Sequence, residues 1–273
     1  MAGLQADLDV AAGRLAQPML AAVHAAAGQR LARLCDLLVT PLLELVGDSP
    51  LVVVQTASLA GVPWPMLSPL IGRPLTVPRS ATSWLRSRAE DARPTKAGFA
   101  AGPRVLRAEE EVASAAEAWS SPTVLTGADA RCAAVSQVAA EVEVLHVAAH
   151  GRHTADNPLF SGLELVDGPW FGYDIDQLES IPSTVILSAC ELGRSSVRWG
   201  EETIGMTVAW LHAGSRCVIA APASVSDDAA CELLARTHAL LAEGAQPSEA
   251  LAAAASQLES PAPAPFLCFG AGW

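Results

Sequence analysis

The sequence predicts an α/β sandwich built on a mainly parallel sheet. From residue 109 onward, short apolar runs alternate with segments of helical spacing, the order that builds a sheet covered by helices. Several of those runs, such as "VEVLHVAAH" (142–150) and "STVILSA" (183–189), are short and mainly apolar, with consecutive apolar residues at their centres. Strands buried on both faces read this way. The composition agrees: 51% of the 273 residues are hydrophobic and 17% are charged, ample for a large core.

In chain order, residues 4–46 are predicted helical, because Leu4, Leu8, Leu15 and Leu20, then Leu31, Leu34, Leu38, Leu42 and Leu43, recur at three-to-four spacing. "GDSP" (47–50) is a turn and "LVVVQ" (51–55) a buried strand. Prolines at 63, 65, 69, 74 and 78 imply an irregular stretch, and the polar segment 85–105 an exposed connection. A helix is expected over 109–119, with three acids where the helix dipole favours them. Strand 123–127, helix 128–140 and strand 142–150 follow. Then come strand 183–189, helix 202–213 and strand 215–222. The helix over 226–244 begins at a Ser226-Asp227-Asp228 cap signal and ends at Gly244. A helix at 248–260 and a strand at 265–270 complete the pattern.

Charge and cysteine usage narrow the function. A net charge of −12 without a basic run argues against a nucleic-acid partner, since neutralising phosphates takes clustered Lys and Arg. Six scattered cysteines without a CxxC pair suggest free thiols in a reducing cytoplasm. No signal peptide and no apolar run of spanning length are apparent, so no membrane partner is expected.

Two apolar runs end in chemically capable residues: 142–151 in His150-Gly151 and 183–190 in Ala189-Cys190. In open α/β sheets ligands bind outside the carboxyl ends of the strands, where both residues fall. Small neighbours (Ala148, Ala149, Gly151, Ser188, Ala189) leave space for a substrate backbone. A thiolate is the nucleophile of cysteine peptidases, and a histidine can protonate the departing amine. The amides of Gly151 and Cys190 are suited to an oxyanion hole. Against this stands the tendency of lone cysteines to be core residues. His146, His150 and His153 form H-x3-H-x2-H, a zinc spacing on a helix, but 142–150 is predicted to be a strand. His146 is therefore expected to be a hydrogen-bonded structural residue, with no metal and no cofactor. No P-loop, GxGxxG or GxSxG occurs.

"LHVAAHG", "NPLFSGLEL", "STVILSACELG", "GEETIGMTVAWLHAGSRCVIAAPASVSDDAA" and "PFLCFGAGW" together resemble the CHAT domain, and the resemblance spans about residues 30–273. It implies a caspase-like three-layer α/β/α sandwich over 47–273, with a helical segment 1–46 packed on it. It also implies a cysteine endopeptidase with His150 and Cys190 as catalytic dyad and Gly151 helping to bind the oxyanion. Asp227 falls where relatives carry an acid near the P1 pocket, so cleavage after Arg or Lys is expected. The chain departs from the family at Ala223, where a tryptophan is common, and at Gln55-Thr56-Ala57. The expected partner is a specific protein substrate, with a separate regulatory or sensor protein, in a bacterial defence or cell-death setting. The rival readings are a non-catalytic interaction module of the same fold and a histidine-based metal hydrolase.

Overall fold

A computed structural model describes residues 2–12, 17–87, 93–152, 161–188, 201–258 and 264–273. Helices run Ala2–Ala12 (α1), Gln17–Leu38 (α2), Leu43–Val46 (α3), Ala81–Ser87 (α4) and Ala108–Ala116 (α5). Cys132–Glu141 (α6), Gly172–Ile175 (α7), Glu201–Ala213 (α8), Asp227–Glu243 (α9) and Pro247–Ser256 (α10) follow. Strands are Leu51–Val52 (β1), Leu75–Val77 (β2), Ala97–Ala101 (β3), Thr123–Leu125 (β4), Val144–Ala148 (β5) and Gly151–Arg152 (β6). The remainder are Gly162–Leu165 (β7), Gly168–Phe171 (β8), Thr184–Ser188 (β9), Cys217–Ala220 (β10) and Leu267–Gly270 (β11).

Eight strands form one sheet in the order β1-β2-β11-β10-β9-β5-β3-β4, and β6-β7-β8 form a small antiparallel sheet. Every pairing in the large sheet is parallel except β10 with β11. Strand side chains alternate between two cores. Leu145, Val147, Val185, Leu187 and Val218 face one core with Val135, Val138, Met206 and Trp210 from α6 and α8. Val144, Ala148, Ile186 and Ile219 face the other with Val112, Leu233, Leu234 and Leu251 from α5, α9 and α10. Helices thus cover both faces, and the chain is a three-layer α/β/α sandwich with a mainly parallel sheet. Among the described residues no helix is long and apolar enough to cross a membrane.

Two expectations from sequence are corrected. The segment 85–105 is not an exposed connection, for it contains β3, buried at all five positions between β4 and β5. Its sequence AGFAA lacks the β-branched bulk that marks a strand because the helix above lies close. A Cβ on Gly98 would sit 2.3 Å from Val138 Cγ1. Likewise the proline-rich stretch holds a buried strand, β2, wedged between β1 and β11.

Candidate active site

The site is set by register. β5 and β9 pair in parallel with Ala148 opposite Ser188, and Ala149 N–H donates to the Ser188 carbonyl at 3.0 Å. His150 stands two residues beyond Ala148. Cys190 stands two residues beyond Ser188 in the sequence and lies outside the described residues. The two chain positions are therefore equally far past the last paired residues of adjacent strands. β10 runs parallel on the other side of β9, with Ala220 opposite Leu187. The carboxyl ends of all three strands share one edge.

The loop leaving β3 fixes the His150 ring. Gly102 N–H donates to the Ala148 carbonyl at 2.8 Å. Glycine is required there: a Cβ would lie 2.5 Å from the Glu164 carbonyl oxygen and 2.6 Å from Ala149 Cβ. Two residues on, Arg104 has φ 65°, the one left-handed non-glycine among the described residues. That conformation costs a residue with a Cβ about 1–2 kcal/mol. It presents the Arg104 carbonyl 3.1 Å from His150 Nε2. A carbonyl only accepts, so Nε2 carries the proton and Nδ1 is the basic nitrogen of the neutral ring.

Gly151 is placed by the small sheet. Glu164 N–H donates to the His150 carbonyl at 2.8 Å, and Gly151 is opposite Leu163. The pair 150/164 is thus the hydrogen-bonded one, so at the neighbouring pair 151/163 the amides point away from the partner strand. The Gly151 amide is turned out of the ladder, as an oxyanion donor must be.

The three residues of the cap signal divide their roles. Ser226 is the N-cap of α9, its Oγ accepting from Ala229 N–H at 3.3 Å. Asp228, exposed, pairs with Arg107, which also holds Glu110. Asp227, partly buried, is the first residue of α9, reached from β10 by the loop 221–226.

His146 is two residues before the end of β5 and fully buried, and both its nitrogens are engaged. Nε2 lies 3.0 Å from Glu111 Oε1 and Nδ1 lies 3.1 Å from His238 Nε2. His238 Nδ1 in turn accepts from Trp119 Nε1 at 3.1 Å. The contacts form a line and do not converge on a point, and among the described residues no group of three potential ligands could hold a metal. His153 lies outside the described residues. Of the five described cysteines, all free thiols, Cys35, Cys217, Cys231 and Cys268 are buried. Burial pushes the Cys231 thiol up and Cys268 well up. Cys132 is pushed up to about 12 by burial and then by its hydrogen bond and proximity to Asp167. Sequence reasoning missed Gly102 and Arg104, because the atom that meets His150 belongs to the backbone.

Sandwich layers, strand order and a histidine just past the carboxyl end of a central strand define a caspase-like α/β/α architecture. The model of the CHAT domain matches residues 28–264, and the chain belongs to that family. The CHAT domain is related to the caspase-like cysteine peptidases. No curated protein matches the chain.

Proposed function

We propose that the protein is a cysteine endopeptidase that cleaves a protein substrate with Cys190 and His150. The observation that carries this reading is the anchoring of His150 Nε2 on the Arg104 carbonyl, beside the strand that leads to Cys190. In this reading Nδ1 acts as the base, and Cys190, as many residues past Ser188 in the sequence as His150 is past Ala148, supplies the nucleophile. A buried structural histidine would not need a strained carbonyl to set its tautomer.

In acylation, Cys190 Sγ bonds to the scissile carbonyl carbon and the C–N bond breaks, with His150 delivering the proton to the leaving amine. The oxyanion is held by the Gly151 and Cys190 amides. Water then attacks the thioester, the C–S bond breaks, and the water's proton returns through His150 to sulfur. No third side chain is required, since the Arg104 carbonyl already orients the imidazole. Residues 47–273 form the peptidase domain, with 1–46 packed on it.

Asp227 is the substrate-binding acid in this reading. Ser226 caps the helix and Asp228 pairs with Arg107, and Asp227 stands between them in the first turn of α9, where the loop from β10 ends. A carboxylate beside the groove favours a cationic P1 side chain. Fluorogenic peptides test both claims. Cys190→Ala and His150→Ala should each abolish cleavage while the fold persists. Wild type should prefer Arg or Lys at P1, and Asp227→Ala should lose that preference. Full turnover by Cys190→Ala would sink the dyad, and an acidic or bulky apolar P1 preference would sink the role of Asp227.

A further inference from the structure

α1 precedes the residues matched by the family model and packs against the loop that follows β10. Leu4 and Leu8 are buried with Ala27 and Met66, and Ala223 packs against that cluster. Asp9 reaches the next residue: Ser224 Oγ donates to Asp9 Oδ1 at 2.8 Å, and the Ser224 backbone N–H donates to the same carboxylate. Arg30 pairs with Asp7 at 3.0 Å and ties α1 to α2. Burial raises the Asp9 carboxyl, and the two Ser224 hydrogen bonds work against it.

Ala223 and Ser224 belong to the loop 221–226, which leaves β10 at the edge shared with His150 and ends at Ser226 and Asp227. A peptide lying across the carboxyl ends of β5, β9 and β10 must pass that loop. α1 is short, and an isolated helix of eleven residues is marginal in water, so it keeps its form chiefly through docking. Two leucines and two carboxylates, Asp7 and Asp9, hold it in place, a set of contacts of the kind that opens without global unfolding. We propose that α1 is an autoinhibitory latch that, while docked, holds the 221–226 loop against substrate entry. The inference rests on the peptidase reading above.

The test uses the 273-residue chain. Leu4→Ser/Leu8→Ser should raise amide hydrogen exchange over residues 2–12 and 221–226 and leave β5 and β9 protected. In the same variant kcat/KM on a basic-P1 peptide should rise about tenfold, the scale of ordinary coupling between sites. Asp9→Ala, which leaves the leucines in place, should act in the same direction more weakly and serves should the double variant not fold. Undocking of α1 with unchanged or lower turnover overturns the latch alone, as does unchanged exchange over 221–226. Absence of turnover and of Cys190 labelling by a peptidyl electrophile, in wild type and variants alike, overturns the peptidase reading and the latch with it.

Discussion

His238 and His146 stack with ring centroids 5.1 Å apart and planes 15° from parallel, and His238 Nε2 lies 3.1 Å from His146 Nδ1. The direction of that bond is determined by Trp119, whose indole N–H can only donate. It occupies His238 Nδ1, so His238 carries its proton on Nε2 and gives it to His146 Nδ1. His146 must then hold its proton on Nε2, facing Glu111. Four buried residues from α5, the segment after it, β5 and α9 therefore form a one-way donor chain.

Breaking the chain at its head should be costly. Trp119→Phe leaves the His238 Nδ1 lone pair buried without its donor, which costs about 1–3 kcal/mol of stability. A lowered denaturant midpoint with an unchanged m-value is the expected result. Nitrogen-15 spectra should show His238 and His146 both protonated at Nε2. A Trp119→Phe midpoint equal to wild type would contradict the chain.

Acid should weaken the fold through the same residue. Burial, then the neighbouring His146, holds the His238 imidazole well below the usual histidine range of 6.5. A second proton would also set Nδ1–H against the Trp119 N–H. The unfolded chain binds this proton below pH 6.5 and the folded one does not, so stability is full above that value and falls below it. The slope is about 1.4 kcal/mol per pH unit for one group. In His238→Gln that contribution vanishes, so the stability gap between wild type and variant should narrow from pH 7 to pH 5. Parallel pH curves would contradict the assignment.

Gly102→Ala should separate stability from chemistry. Its Cβ would meet the Glu164 carbonyl and Ala149, neither of which can swing aside as a long side chain would. Relief requires the 102–104 loop to move and takes the Arg104 carbonyl off His150. Misplacement on the ångström scale costs about 100-fold in rate. A loss of that size in kcat/KM, with folded protein still in hand, is the expected outcome. Full activity would show that the carbonyl anchor is dispensable.

The strands that were legible in the sequence are mainly those with branched bulk. They include β1 and β4 as well as β5, β9 and β10, and "VLHVA" and "TVILS" are buried at every position; β11, LCFG, was legible from its apolar residues alone. β3 was not legible because close helix packing at Gly98 selects small residues, and its polar upstream neighbours mask the run. The hairpin β7–β8 was not read either; its turn at Val166-Asp167 is bounded by Gly168 at φ 134°. At the site, His150 was legible as a reactive type at a strand end. Arg104 was not, because a backbone carbonyl leaves no mark on side-chain chemistry. The role of α1 depends on a contact between residues 9 and 224, a separation no local pattern encodes.

Labelling by a peptidyl electrophile with Arg at P1, followed by peptide mapping, tests the dyad most directly. The other thiols are poorly placed to compete, four of them buried and Cys132 held protonated at neutral pH. The expected result is a single adduct on Cys190 that forms far more slowly in His150→Ala. Equal labelling of several cysteines, or an adduct elsewhere with Cys190 unmodified, would contradict the peptidase assignment.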